Sequence, residues 1–273
     1  MFSPDIYEWR GVEGLVVAEV TKDDGTDYVT GTPFEVAGVS EITVNKDQSM
    51  DTHFYNNYGA VVVDSIPVDS LAINTSAIPE DIYAKLTGSY YDESTGMLVE
   101  GKNDVKYFAV GYRTQDTNGN DHYVWYLKGR FAVGGITHST KNNSTDAAGQ
   151  SLTFNAVRTQ TAFTKGGTGA TSVKVDGSKN LVDFTNFFTS VQTPDTIVPK
   201  VSYELTVTTG VGATNPTIKR NGVELEDGDT IYAGDELKIT ALNSTITVNG
   251  VAFTSGDIHV VTGNTTVATT ASN

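Results

Sequence analysis

The side chains able to do chemistry are few and scattered. There are four histidines, His53, His122, His138 and His259, and no two stand at a metal-ligand spacing, so each is expected as an exposed or loop residue. The run Glu226-Asp227-Gly228-Asp229 suggests calcium at first sight. It lacks the alternating ligands and closing glutamate of a helix–loop–helix site, and reads as an acidic turn. Gly166-Gly167-Thr168-Gly169-Ala170-Thr171-Ser172 has the glycines of a phosphate loop but no Lys-Ser/Thr pair after them, so a flexible surface loop is expected. Without cysteine there is no thiolate metal site, disulfide or cysteine nucleophile. No serine elbow or histidine dyad can be assembled, and nothing singles out a pair among the 33 acids. An enzyme is not expected, and neither a cofactor nor a metal is called for. Asn-x-Ser/Thr triplets at Asn74, Asn142, Asn143, Asn243 and Asn264 read as chance matches in a sequence with 39 threonines.

The elements that would position any site are strands. Thr suits a pleated, half-buried surface and the 27 glycines suit tight turns, so the 273 residues are expected to be mainly β. The net charge of −15 and the single adjacent basic pair, Lys219-Arg220, argue against gripping nucleic acid or an anionic membrane. The longest apolar run, around Ala60-Val61-Val62-Val63, is far short of a membrane span. The opening MFSPDIYEWRGVEG has no basic start followed by an apolar stretch and does not read as a signal peptide, which suggests synthesis in a cytoplasm.

Along the sequence, Gly14 to Val20, Val39 to Val44, Ala60 to Asp64 and Ser151 to Val157 read as strands. Val105–Arg113 and His122–Val133 flank Asn118-Gly119 as a hairpin. Ile78 to Gly88 carries helix signals: Pro at the first turn, acids early, Lys85 late and Gly past the end. Asn180 to Val191 places Leu181, Phe184, Phe188 and Val191 at helical spacing and predicts a second helix. Prolines 194 and 199 mark a break, giving domains 1–195 and 201–273 joined by a 196–200 linker. The second domain repeats itself: Ile218 to Val223 recurs as Ile246 to Val251, and Gly228-Asp229 as Gly256-Asp257. With an Asn-Gly turn in each copy it reads as a small all-β module of two similar hairpin units.

One stretch stands out: Asn45, Lys46, Asp47, Gln48, Ser49, Met50, Asp51, Thr52, His53, Phe54, Tyr55, Asn56, Asn57 and Tyr58. It is polar enough for a long loop, yet carries one methionine and three aromatics. Such residues on a solvated loop either fold back onto the protein or make a protein–protein contact, self-association included, and the contact is the favoured reading.

Read in order, the first 195 residues resemble the major tail proteins, or tail-tube proteins, of long-tailed bacteriophages. The matching segments are Gly14 to Ala18, Gly31-Thr32-Pro33, Val36 to Ser40, Phe54 to Asn57, Ile78 to Gly88, Gly96 to Glu100, Tyr107 to Tyr112, Tyr123 to Phe131, Gln150 to Ala156 and Phe187 to Val191. The resemblance implies a virion-tail protein with a β-sandwich or barrel-like tube domain and one or two short helices, self-assembling into stacked hexameric rings around a bore for double-stranded DNA. It implies tape-measure, distal-tail and tail-terminator proteins as partners, and makes Asn45 to Tyr58 the inter-ring contact loop. It also implies that 201–273 is an appended Ig-like decoration, with host-surface glycans as a possible ligand. The rival reading is a bacterial surface adhesin whose β modules bind carbohydrate.

Overall fold

The computed structural model describes residues 6–47, 50–64, 68–101, 104, 106–134 and 149–272. Gln48, Ser49, His138, Asn142 and Asn143 lie outside them. The protein forms two compact units, Met1–Val198 and Pro199–Asn273, and both are built almost wholly of strands.

In the first unit the strands are β1 (Trp9–Asp23), β2 (Tyr28–Thr30), β3 (Phe34–Glu35), β4 (Val39–Asp47), β5 (Met50–Tyr55), β6 (Tyr58–Asp64), β7 (Val68–Thr75), β8 (Tyr90–Asp92), β9 (Met97–Val99), β10 (Tyr107–Asp116), β11 (Asp121–Val133), β12 (Gln150–Ala156) and β13 (Ser172–Asp176). One helix, α1 (Glu80–Thr87), follows β7. The main sheet runs β2-β1-β10-β11-β12-β7-β4, with β3 added to β1 and β13 to β11. Strand β11 is long enough for its edge away from β10 to be shared. β13 pairs along His122 to Tyr126 and β12 along Gly129 to Val133. Strands β1 and β4 approach each other without hydrogen-bonding, so the sheet rolls around its contents.

Both faces of the sheet's centre are covered, which is why Leu15-Val16-Val17-Ala18 is an unbroken apolar run. Leu15 and Val17 join Val110, Tyr126, Leu71 and Phe154 in one cluster. Val16 and Ala18 join Ala109, Trp125, Leu127 and Phe187 in the other. Burying one such aliphatic side chain contributes about 1.5–3 kcal/mol.

Helix α1 stands where its signals put it. Pro79 occupies the N-cap position, and Gly88 closes the helix at φ 73° with its N–H donating to the Ala84 carbonyl at 2.8 Å. A Cβ on Gly88 would overlap the backbone of Asp104. Gly88→Ala is therefore expected to cost about 1–3 kcal/mol, from the left-handed φ and the overlap together, measured by chemical denaturation.

The second predicted helix is absent. Residues 180–191 form a series of turns. Asp183 Oδ1 accepts from the Thr185 N–H at 3.0 Å and hydroxyl at 2.7 Å, and Asn180 sits at φ 50°. These local bonds compete with helix formation in a segment of weak helix formers. The apolar spacing is still used: Phe184 stacks on Tyr123 at 4.0 Å, and the Phe187 carbonyl accepts from the Trp125 indole N–H at 3.3 Å.

The second unit holds β14 (Ser202–Thr209), β15 (Thr217–Arg220), β16 (Val223–Leu225), β17 (Thr230–Tyr232), β18 (Glu236–Thr240), β19 (Ser244–Val248), β20 (Val251–Phe253), β21 (Ile258–Val260) and β22 (Thr265–Ala271). Two sheets, β17-β14-β22-β19-β20 and β16-β15-β18-β21, share one core of Leu205, Ile218, Ile231, Leu237, Ile239, Ile246 and Val267. The internal repeat now acquires a geometry. In the first copy, β14 and β17 pair in one sheet while the hairpin β15–β16 lies in the other. In the second copy the sheets are exchanged: β18 and β21 pair opposite the hairpin β19–β20. Asn221-Gly222 and Asn249-Gly250 make the two hairpin turns at positive φ (51° and 83°; 50° and 79°). The next turns also correspond: the Gly228 N–H donates to Leu205 and the Gly256 N–H to Ile239, each at 2.8 Å.

Candidate assembly surface

The stretch expected to be a loop is mostly strand. Asn45, Lys46 and Asp47 end β4, paired with Ser70, Asp69 and Val68 of β7. Met50, Asp51, Thr52, His53, Phe54 and Tyr55 form β5, which among the described residues pairs only with β6. Asn56 and Asn57, at φ 49° and 65°, make a two-residue turn into Tyr58, because Asn tolerates the left-handed region that such a hairpin turn requires. The register runs Tyr55↔Tyr58, Phe54↔Gly59, His53↔Val61, Thr52↔Val62 and Asp51↔Val63, with one extra residue of β6 accommodated after Phe54.

That register decides which side chains share a face. Met50, Thr52, Phe54 and Val62 lie on one side; Asp51, His53, Tyr55, Tyr58, Val61 and Val63 on the other. Both sides therefore carry large apolar groups, and all of them are exposed. Phe54 is 68%, Tyr58 77% and Val62 60% open to solvent. A solvated strand pair usually keeps one polar face, and an isolated two-stranded ribbon is marginal in water. This one is apolar on both faces and joined to the main sheet at one end, through β4 and β7. The missed signal lay in the sequence: Asn56-Asn57 as a turn between Met50 to Tyr55 and the apolar run that ends at Val63.

A second hairpin, β8–β9, also shows an uncovered side, with Tyr90, Met97 and Val99 exposed and Tyr91 and Leu98 half-buried behind them.

The groups that could have done chemistry are built into the fold. His122 is buried, contrary to the expectation of an exposed histidine. It lies on β11 between Asp116 (3.4 Å) and Asp176 (3.7 Å), with Tyr7 stacked at 6.0 Å and Trp9 edge-on at 4.8 Å. His53 is exposed on β5, and His259, half-buried, is held below its ordinary pKa by burial. In the acidic turn, Asp229 Oδ2 accepts from the Glu226 N–H at 2.8 Å and Asp227 Oδ1 from the Val207 N–H at 2.6 Å, so the carboxylates brace backbone. The glycine-rich run is likewise an ordered turn: Phe163 N–H donates to Thr168, Thr159 N–H to Ala170, and Gly169 fits against the Thr159 carbonyl. Among the described residues there is no group of three metal-ligating side chains.

A cavity of about 690 Å³ opens between β1, β4, β10, β11 and β13, floored by Val12, Ile42, Val44, Tyr112 and Val124. Burial pushes the Tyr112 hydroxyl up to about 12 and holds the Lys174 ammonium on its wall below the usual lysine range.

One buried charge interaction is not visible in the sequence. Asp23, its side chain 2% exposed, receives Lys128 Nζ at 2.6 Å, the N–H groups of Gln160 and Thr161 at 2.8–3.0 Å, and the Thr161 hydroxyl at 2.9 Å. Burial pushes its pKa up, but the lysine and the other donors outweigh this and hold the carboxyl below its ordinary value. A lowered folded pKa means stability that is present above the unfolded value near 3.8 and lost as pH falls through the folded one. Asp23→Ala should cost about 3–5 kcal/mol by stranding Lys128, and should remove part of the acid sensitivity of unfolding below pH ~4. Urea melts of both proteins across that range measure both effects.

No curated protein matches the sequence. No helix among the described residues is long and apolar enough to cross a membrane. A family model for phage tail tube proteins matches residues 22–186, a span that runs from the end of β1 through the β5–β6 hairpin to the turns against Trp125. With more than half its length so matched, and with a rolled β domain of the expected class, the protein belongs to the phage tail tube protein family.

Proposed function

We propose that this structural tail protein closes into six-membered rings, that the rings stack into a hollow tube through which double-stranded DNA passes, and that the β5–β6 hairpin locks each ring onto the next. The observation that carries the hairpin's part is its apolar character on both faces, with Met50, Phe54, Tyr55, Tyr58, Val61, Val62 and Val63 all exposed. Three aromatics, one methionine and three valines at such exposure offer an area on the order of the ~800 Å² per partner of a standard interface. Family membership supports self-association, a place in the virion tail and a structural rather than enzymatic role. The −15 charge of each copy suits a bore that repels phosphate and lets DNA slide. Tape-measure, distal-tail and tail-terminator proteins are its other partners in the tail. The 201–273 module is an Ig-like decoration on the outside, with host-surface glycans as its candidate ligand.

Negative-stain electron microscopy of the purified protein across concentration and salt tests the reading. Six-fold rings or hollow tubes support it. Dispersed monomers under every condition, pre-formed tail ends added as seeds included, would overturn it.

A further inference from the structure

Asn-Gly occurs three times in the sequence, at Asn118-Gly119, Asn221-Gly222 and Asn249-Gly250. All six residues are exposed and all three pairs sit at hairpin turns. Asn-Gly is the dipeptide most open to intramolecular attack on an asparagine carboxamide, because glycine places no Cβ beside the attacking nitrogen. The structure treats the three pairs differently. At Asn118 the attacking group is engaged: the Gly119 N–H donates to the Asp116 carbonyl at 3.1 Å, and the Asn118 N–H to Asp116 Oδ1 at 2.9 Å. At Asn249 the electrophile is held: Oδ1 accepts from the Thr266 N–H at 2.7 Å, while the Asn249 N–H donates to the Thr266 carbonyl at 2.8 Å. At Asn221, among the described residues, neither the carboxamide nor the Gly222 N–H has a hydrogen-bond partner.

We propose that Asn221 is a site of spontaneous deamidation, selected over its repeat equivalent Asn249 and over Asn118 by the absence of these anchors. The Gly222 nitrogen loses its proton to water and attacks Asn221 Cγ. The new N–Cγ bond closes a five-membered succinimide as the Cγ–Nδ2 bond breaks and nitrogen leaves as ammonia. Water then opens the ring at either carbonyl, giving aspartate or isoaspartate; the net change is one water consumed and one ammonia released. Either product adds a negative charge beside Arg220. Isoaspartate also lengthens the turn by a methylene, which the two-residue link between Arg220 and Val223 has no room for.

The intact protein, held at mildly alkaline pH and physiological temperature, is sampled over time and mapped by peptide mass spectrometry with an isoaspartate-specific methylation assay. The Asn221 peptide is expected to convert several-fold faster than those of Asn118 and Asn249. In guanidinium, where the anchors are gone, the three rates should converge. Conversion of Asn249 or Asn118 as fast as Asn221 in the folded protein would overturn the proposal. So would a native ranking that persists unchanged after unfolding, since neighbouring sequence and not the fold would then set it.

Discussion

Replacing Phe54 and Tyr55 together by Ser should leave a folded, soluble monomer that no longer stacks. The two side chains lie on opposite faces of the same hairpin, at 68% and 62% exposure. Their removal takes almost nothing from the core, and the expected change in unfolding free energy is within about 0.5 kcal/mol. Their loss at an interface is another matter. Buried aromatic anchors cost about 2 kcal/mol or more each when truncated, so the pair should weaken stacking by about a thousandfold. Sedimentation velocity and electron microscopy read the assembly, and circular dichroism the fold. Tubes in wild-type yield from the double variant would remove the hairpin from the assembly mechanism. Unfolding of the variant would show that the hairpin serves the monomer instead.

Trp125→Ala carries an expected penalty to stability of about 3–5 kcal/mol, the same range as loss of the Asp23 carboxylate. Trp125 is fully buried on β11, with Ala18, Ala109 and Phe187 in its cluster and Gly111 directly across the strand pair. A Cβ on Gly111 would come within 2.8–2.9 Å of the indole, so that glycine exists to admit the ring. Alanine at 125 would leave a cavity of indole size and would remove the donor to the Phe187 carbonyl. The turns of 180–191 would then lose their floor. The expected signature is a lower midpoint for the first unit's transition, with proteolysis beginning near residues 180–191. A shift of less than about 1 kcal/mol would mean that Phe184, Phe187 and Phe188 collapse into the space.

How much of this could be read beforehand varies with how local the cause is. The turns at Asn221-Gly222 and Asn249-Gly250, at positive φ, and the Pro79-to-Gly88 helix follow from short-range rules, and all are found. The failures lie where weak local signals meet contacts that only the fold supplies. Phe184 and Phe188 keep helical spacing, but Asp183 and Asn180 bond to nearby backbone and Tyr123 and Trp125 supply the surface, so packing is achieved without a helix. Asp23 looks like part of an acidic turn, and only the fold brings Lys128, Gln160 and Thr161 to it. The hairpin is legible as a contact, and its second strand as Ala60 to Asp64, but β5 reads as loop. Asn56-Asn57 is a weaker turn signal than Asn-Gly, and a ribbon with two apolar faces breaks the alternation that marks a half-buried strand.

The exchanged sheets of the C-terminal unit bear on whether its two copies can be separated. Each copy of the repeat contributes a hairpin to one sheet and its flanking strands to the other, so neither copy can close a core by itself. Leu205, Ile218 and Ile231 of the first copy need Ile239 and Ile246 of the second. The exchange is not symmetric, because β22 has no counterpart in the first copy and lies between β14 and β19, whereas β15 and β18 pair directly. Neither copy is therefore a separable part: one core interlaces them, and a cut between Tyr232 and Glu236 would leave each half with strands of both sheets unpartnered.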